Sequence, residues 1–294
     1  MTAASIVSSG RPLRLALGNR RALVALLLLA PALVLYVALY FVPLFDFLSL
    51  SVVDGGLSTA HFSTLLDMTY LSVLWRTLWM SALVGAICTA LGFPVAYLMS
   101  RSSAIGAAAI GACVMVPLWT SVLLRTYAWT VVLQYRGVLN DLLLTLGLID
   151  QPLRFMYSKG AVITVMVHVL LPYVVLPLYT NLASIPRELP TAARGLGATG
   201  LRIFIHVTLP LCLPGVIAGF TLVFVLSTGF FVVPSLVGGP ASMMVATLIG
   251  REISENLNWA QGAAMSVVLL ATATVCLAML SRLRHMDKRQ GSAA

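Results

Sequence analysis

Charged side chains are scarce in this sequence. Only 9% of its 294 residues are Asp, Glu, Lys or Arg, whereas soluble domains carry about 25%. Hydrophobic residues make up 60% of the chain, and the mean hydropathy is +1.00. A soluble fold of this size could not bury so much apolar surface. The composition therefore excludes a soluble domain and predicts an integral membrane protein.

Signatures of nucleotide and metal chemistry are also missing from the sequence. There is no GxxxxGK[ST] phosphate-binding loop, so we do not expect the protein to bind ATP itself. The HExxH zinc pattern and the GxSxG nucleophile pattern are absent, which argues against a hydrolase. The few cysteines lie inside apolar runs, which favours packing over disulfides or metal binding: Cys88, Cys113, Cys212 and Cys276. We predict no enzymatic activity, no cofactor and no metal site.

Six apolar stretches are long enough to cross a bilayer, which requires about 20 mainly apolar residues. They are 22–43, 72–99, 106–131, 161–183, 206–233 and 263–281. The first could be mistaken for a signal peptide, but its apolar run exceeds the usual core of about 7–15 residues and no small-residue cleavage site follows it. The sequence predicts an all-α membrane protein with six transmembrane helices, including an uncleaved first helix.

The positions of the charges predict the orientation in the membrane. Four segments are candidates for the cytoplasmic side: 1–21, 100–105, 184–205 and 282–294. Together they hold 12 of the 18 basic residues but only two of the nine acidic ones, as expected for cytoplasmic segments. We predict that both terminal tails are cytoplasmic. The formal net charge of +9 then reflects topology, and no nucleic-acid partner is expected.

A few local signals mark short helices and close helix contacts. Asn140 is suited to cap the start of a short helix, and Gly147 is suited to end it. A second short helix is indicated by apolar residues at helical spacing. Gly215 and Gly219 form a GxxxG pair, which fits either packing within the chain or a dimer seam. The residues of the second short helix are Val245, Leu248, Ile249 and Ile253.

The 184–205 loop is the longest connection on the predicted cytoplasmic side. The small residues Ala192, Ala193 and Gly197 recur in it at helical spacing, which predicts a helix over 191–204 with one face open to close approach. A merely solvated surface helix would carry more Glu and Lys. We expect this helix to dock on a cytoplasmic partner.

The same stretch resembles the EAA loop of type I ABC importer permeases. That pattern reads E-A-A, three residues, G, nine residues, then I-x-L-P, and its spacing is intact here. Thr191 replaces the family's glutamate, and Val207 replaces its isoleucine. By this resemblance the loop docks on an ATP-binding subunit through Thr191, Ala192, Ala193, Gly197, Val207, Leu209 and Pro210.

The resemblance covers nearly the whole chain from Leu71. VPLWTSVLLRTYAW (116–129), GVLNDLLLTLGLI (137–149), LLPYVVLPLY (170–179) and IPRELPTAARGLGA (185–198) are similar to the permeases of spermidine/putrescine importers, and to the first of their two permease subunits in particular. This likeness implies a MetI-like transmembrane core over 72–281 in a bacterial inner membrane. The implied partners are cytoplasmic ATP-binding subunits, a second permease, and a periplasmic or lipid-anchored solute-binding protein.

Five residues are candidates for the translocation path. Arg125 lies within a predicted span, where a charge faces protein or water unless it extends to the interface. His168 could equally be a packed, hydrogen-bonded residue. The family resemblance favours a position on the cavity wall for Arg125, Tyr127 and Trp129, which lie in the third predicted span. The candidates are Arg125, Tyr127, Trp129, His168 and Tyr173.

The sequence thus predicts a permease subunit of an ATP-driven importer. Spans two to six carry no acidic residue at membrane depth. Polyamine transport would therefore depend on aromatic faces, backbone carbonyls and the partner proteins. An anionic or zwitterionic solute is an alternative cargo. An ion-coupled secondary transporter is the alternative, although such carriers commonly place ionisable groups near the midplane.

Overall fold

The computed structural model describes residues 27–52, 60–186 and 188–290, and these ranges are helical without strands. The predicted tail 1–21, residues 22–26 of the first predicted span and residues 291–294 lie outside the described residues. In chain order the helices are α1 (Leu27–Ser49), α2 (Ala60–Thr64), α3 (Met68–Arg101), α4 (Ala104–Met115), α5 (Val122–Leu133), α6 (Val138–Thr145), α7 (Lys159–Ala183), α8 (Glu188–Gly195), α9 (Gly200–Thr228), α10 (Val232–Val237), α11 (Val245–Ser254) and α12 (Trp259–Gln290).

Within the described ranges, five helices are long and apolar enough to cross a membrane: α1, α3, α7, α9 and α12. The prediction of one continuous span over 106–131 is wrong. Ala104–Trp119 and Val122–Thr145 are bent by 93° at the break between them. Pro117 lacks a backbone N–H, the chain tightens into a 3₁₀ turn over Val116–Trp119, and the helix ends there. The predicted count of six spans holds if this bent pair is one broken span.

Helix α7 forms the centre of the bundle. Its residues are apolar on every side, which is typical of a helix surrounded by protein. In the most apolar 18-residue stretch of α7, 61% of the residues are buried, whereas none are buried in the corresponding stretch of α1. Helices α3 and α9 pack along it, with the core side chains Met166, Leu170 and Leu178 fully buried.

Two glycines let α3 and α9 approach α7 closely at the same residue. A Cβ at Gly92 would lie 2.6 Å from Val174 Cγ1, and a Cβ at Gly219 would lie 2.5 Å from Val174 Cγ2. One turn earlier in α9, Gly215 is packed against Asn181. The GxxxG pair therefore serves packing within the chain, the first of its two interpretations.

Helix α1 stands apart from this bundle, because its side chains are exposed and its contacts are mainly with α12. It contains a π-helical turn at Val37–Phe41, and α9 contains another at Phe204–Thr208. Each turn ends two residues before a proline, Pro43 and Pro210. Because proline cannot donate the regular helical hydrogen bond, it accounts for the local widening.

The connecting segments are only partly as predicted. Gly147 ends α6 in a left-handed conformation (φ 66°), and α11 forms over Val245–Ser254, as the sequence indicated. Asn140 is not a helix cap, however. Gly137 occupies the N-cap position of α6, and Asn140 lies inside the helix with its side chain buried.

Helix α7 separates the segment that contains Tyr157 from the loop that begins at Ser184. Ser158 caps its first turn by accepting a hydrogen bond from the Ala161 N–H (3.1 Å). The helix has 25 residues and is therefore about 37 Å long. Tyr157 precedes its N-terminal end, and Ser184 follows its C-terminal end. The segment before α7 and the loop that follows α7 therefore lie at opposite ends of one helix.

Candidate functional site: an exposed helix–turn segment and a tyrosine cavity

The segment that resembles the EAA loop consists of a short helix, a turn and the first turn of α9. Helix α8 ends at Gly195, and α9 begins at Gly200. The single helix predicted over 191–204 is therefore wrong. We call residues 188–201 the helix–turn segment. Arg187 lies outside the described residues.

Gly197 is the residue that breaks the helix. Its φ of 81° is in the left-handed region. Its N–H bonds to the Arg194 carbonyl (3.0 Å), and the Ala198 N–H bonds to the Ala193 carbonyl (3.1 Å). This pair of hydrogen bonds is the Schellman arrangement, in which a left-handed glycine closes a helix C-terminus. Gly197 therefore shapes the turn and does not belong to a helical face with Ala192 and Ala193.

The other predicted docking residues fall into two groups. Thr191, Ala192 and Ala193 lie on α8, where Thr191 and Ala192 are exposed and Ala193 is half-buried. Val207, Leu209 and Pro210 lie inside the long helix Gly200–Thr228. Pro210 is ten residues, or about 15 Å, along this helix from its start. The structure therefore separates the I-x-L-P positions from the helix–turn segment.

Two leucines of the helix–turn segment were not singled out from the sequence. Leu196 is 90% exposed immediately before the turn, and Leu201 is 70% exposed just after it. Leu196 follows the end of α8, and Leu201 is the second residue of α9, so the two flank the turn at Gly197. Isolated exposed leucines are ordinary, but these two lie on either side of one turn. Sequence reasoning missed them because a leucine signals nothing in a chain that is 60% hydrophobic.

Aromatic contacts hold the start of α9 against the bundle. The Phe204 ring meets Phe93 of α3 edge to face at 5.7 Å and meets Tyr97 at 6.1 Å. The Arg101 guanidinium lies 5.3 Å from the centre of the Tyr97 ring, a cation–π distance. The helix–turn segment is thereby fixed beside the C-terminal end of α3.

Three of the five candidates for the translocation path come together between α5 and α7. The Trp129 indole N–H donates to Nδ1 of His168 (3.1 Å), and the two rings lie 5.6 Å apart. Arg125 is one helical turn before Trp129 and so lies on the same face of α5. Its Nε and Nη1 atoms are shielded from solvent and have no hydrogen-bond partner among the described residues.

The remaining two candidates are separate from that cluster. Tyr127 projects from another face of α5 and lines a different cavity. Tyr173 is an exposed residue of α7, five positions from His168 and therefore on another face. The structure does not assemble the five residues into one site.

The cavity lined by Tyr127 has a volume of about 630 Å³, within the range of about 300–1,000 Å³ for small-molecule sites. It lies beyond the N-terminal end of α7. One wall comes from α5 and its C-cap residue Gln134, which follows Tyr127 and Thr130 at helical spacing. We call it the tyrosine cavity. Its other lining residues are Tyr135, Arg154, Met156, Tyr157 and Leu236.

Asn140 holds two walls of the tyrosine cavity together. Its Nδ2 donates to the carbonyls of Gln134 (3.3 Å), Tyr135 (3.2 Å) and Leu153 (2.9 Å). Its Oδ1 accepts a hydrogen bond from the Leu153 N–H (2.8 Å). Gln134 and Tyr135 line the cavity, and Leu153 directly precedes its Arg154. One buried amide thus ties the end of α5 to the segment before α7.

We expect Asn140→Asp to loosen these walls. A carboxylate cannot donate to the three carbonyls, so buried groups would lose their partners at a cost of about 1–3 kcal/mol each. The midpoint of thermal unfolding of the detergent-purified protein should fall, and trypsin should cleave faster after Arg136 and Arg154. Asp141→Asn, which changes the exposed neighbour, is the control. Unchanged proteolysis and midpoint for Asn140→Asp would contradict the clamp.

Within residues 27–52, 60–186 and 188–290 no group of three or more His, Cys, Asp or Glu residues is placed to hold a metal ion. The four cysteines are free thiols, with Cys88 and Cys212 buried.

Comparison with known proteins places the chain in a family. The family model of binding-protein-dependent transport system inner membrane components matches residues 21–292. The chain is 36% identical over 209 residues to the spermidine/putrescine transport system permease protein PotB of Escherichia coli, which is 71% of this chain and 76% of the relative. The chain belongs to this family. It is a permease component of a binding-protein-dependent transport system and crosses the membrane several times.

Other members of the family agree with this assignment. PotB of Haemophilus influenzae is 36% identical over 220 residues, which is 75% of this chain and 76% of the relative. The inner membrane ABC transporter permease protein YdcU of E. coli is 30% identical over 257 residues, which is 83% of this chain and 81% of the relative. The identity extends over most of each chain and is not limited to one motif.

Solved structures show the same fold. A chain of a bacterial ABC transporter involved in alginate import superposes with a TM-score of 0.74 at 19% identity, over 94% of this chain and 99% of that one. A chain of the MetNI methionine ABC transporter gives 0.55 at 18% identity, over 76% of this chain and 99% of that one. The fold is therefore the MetI-like all-α permease fold that the sequence predicted.

Proposed function

We propose that this permease is one half of the pore of an ATP-driven importer and that its helix–turn segment docks on a cytoplasmic ATP-binding subunit. The observation that carries the proposal is the exposed pair Leu196 and Leu201 beside the left-handed turn at Gly197. Leu196 lies between α8 and α9, and Leu201 is at the very start of α9, so a partner subunit would cover this apolar surface at the end of the span. The matching position in the family pattern supports an ATPase as that partner. The chain itself would bind no ATP, use no cofactor and catalyse no reaction.

We further propose a polyamine, or a related small amine-containing solute, as the cargo. Relatives with 36% identity are named for spermidine and putrescine transport. The helices α3, α4, α5, α7 and α9 contain no Asp or Glu. Recognition of a cation would therefore use aromatic faces, backbone carbonyls, the second permease and the solute-binding protein that delivers the cargo.

An uptake experiment tests both proposals. The chain is co-expressed with the ATPase, the second permease and the binding protein of the same importer, and the complex is reconstituted in proteoliposomes. We expect uptake of labelled putrescine or spermidine that requires both internal ATP and the binding protein. Uptake that needs no ATP and collapses with a protonophore would instead indicate the ion-coupled alternative. Transport by the chain alone as a homodimer would contradict the two-permease arrangement.

Both termini are proposed to be cytoplasmic, because the basic residues concentrate in the tails and in two of the loops. We expect a membrane-impermeant maleimide to label Asp141→Cys, but not Leu196→Cys, in spheroplasts of a cysteine-free variant. Both positions are exposed in the structure, so accessibility alone would not separate them. Labelling at residue 196 without permeabilisation would reverse the proposed orientation.

A further inference from the structure

Tyr157 has a backbone conformation that tyrosine rarely adopts. Its φ is 63°, in the left-handed region where a side chain crowds the backbone. Two contacts hold it there. Its N–H donates to the Val237 carbonyl (3.0 Å), and Gly239 packs so closely that a Cβ there would lie 2.9 Å from the Tyr157 carbonyl oxygen. The last residue of α10 and the nearby Gly239 thus support Tyr157.

Burial of the ring does not explain why this conformation is kept. The Tyr157 side chain is 65% exposed, so it contributes little to the core. Its position is at the wall of the tyrosine cavity, together with Tyr127 and Tyr135. Strained residues that the surrounding structure holds in place are concentrated at functional sites. The strain therefore points to a role for the ring in the cavity.

We infer that the tyrosine cavity contacts the solute during transport and that Tyr157 is a specificity-determining residue, whose ring faces an ammonium group of an aliphatic amine. This inference rests on the proposed function. A cation over an aromatic face is attracted by the ring quadrupole, and three tyrosines can serve successive amino groups. The side chains of Thr130 and Gln134 add hydrogen-bond acceptors.

Arg154 sets a limit on the charge of the solute. It lines the same cavity, and no acidic residue does so among the described residues. Repulsion between its guanidinium and the solute grows with the number of positive charges on the solute. The cavity should therefore favour a doubly charged amine over a triply charged one.

The first test removes the ring but keeps the backbone conformation. Asparagine tolerates a positive φ, so Tyr157→Asn should leave assembly and thermal stability unchanged. We expect the KM for putrescine uptake by the reconstituted complex to rise about tenfold, which corresponds to about 1.4 kcal/mol. Tyr157→Phe, which keeps the aromatic face, should transport nearly as well as the unmodified protein.

Leu257 provides a matched control. It is the other non-glycine residue with a positive φ among those described (53°) and is exposed, but it does not line the cavity. Leu257→Asn should leave putrescine uptake unchanged. Normal uptake by Tyr157→Asn would overturn the inference. Loss of assembly by Tyr157→Asn would also overturn it, because the ring would then serve folding.

The second test concerns charge selectivity. Arg154→Gln should raise spermidine uptake relative to putrescine uptake at least threefold, because spermidine carries one more positive charge. An unchanged ratio would remove Arg154 and the cavity from the path. If the unmodified complex transports neither amine, the proposed substrate fails. If it transports them and the variants behave like it, only the inference fails.

Discussion

Replacing Gly197 with alanine is expected to lower ATP-dependent uptake about tenfold while membrane insertion stays normal. The φ of 81° costs an L-residue about 1–2 kcal/mol, and the alternative backbone would break the two hydrogen bonds that close α8. Leu196 and Leu201 would then lose their fixed spacing. Since 1.4 kcal/mol is a factor of ten in affinity, docking of the ATPase should weaken by that order. Co-purification of the ATPase and uptake are the measurements.

Gly195 is the matched control for this change. A Cβ at Gly195 or at Gly197 would meet no atom within 4 Å, but only Gly197 has a positive φ. Gly195→Ala should therefore be tolerated, or should stabilise α8, because alanine favours a helix over glycine. Equal uptake by the two variants would contradict a role for the turn. A loss of insertion by Gly197→Ala would show that the turn serves folding of the bundle.

Gly219→Leu is expected to prevent stable folding of the permease. A Cβ at this position would lie 2.5 Å from Val174 Cγ2 and 3.2 Å from the Val174 carbonyl oxygen, in the centre of the core. Backbone atoms cannot move aside as a flexible side chain can, so α7 and α9 would have to separate. Overpacking of this kind costs about 1–3 kcal/mol or more. We expect aggregation in size-exclusion chromatography of the detergent-solubilised protein.

Two further variants make this prediction specific. Gly229→Leu should elute as the unmodified protein does, because a Cβ at Gly229 meets nothing within 4 Å. The milder Gly219→Ala should be rescued in part by Val174→Ala, as expected for residues in direct contact. If Gly219→Leu elutes normally, the close approach of α7 and α9 is not required for the fold. If Val174→Ala adds to the damage instead, the two residues do not compete for the same space.

Gly147 and Gly197 have the same local structure, but the sequence predicted the role of only one of them correctly. Both glycines have a positive φ and close a helix with the same pair of hydrogen bonds. Gly147 follows a run of leucines, so its role as a helix end was predicted correctly. Gly197 lies four residues after Ala193 in a family motif, and this spacing predicts a helical face, which is wrong. The helix-ending tendency of glycine applied equally to both positions.

The candidate path was only partly predictable. Helical spacing alone places Arg125 and Trp129 on one face of α5, and Tyr127 on another. The hydrogen bond between Trp129 and His168 joins residues 39 positions apart, which spacing within one helix cannot foresee. The prediction of Asn140 as a helix cap is wrong, because its side chain bonds to backbone groups in the loops on both sides of α6.

The sequence by itself determined that this protein is a helical membrane permease. Membrane insertion depends on the summed hydrophobicity of consecutive residues, and the family motif is a pattern of neighbours, so both can be read along the chain. Only the tertiary structure decided that the third span is broken, that Gly92 and Gly219 both pack against Val174, and that three tyrosines line one cavity. These features depend on contacts between segments that are far apart in the sequence. Tyr157 lies in a different segment from Tyr127 and Tyr135, and no spacing along the chain indicates that all three line one cavity.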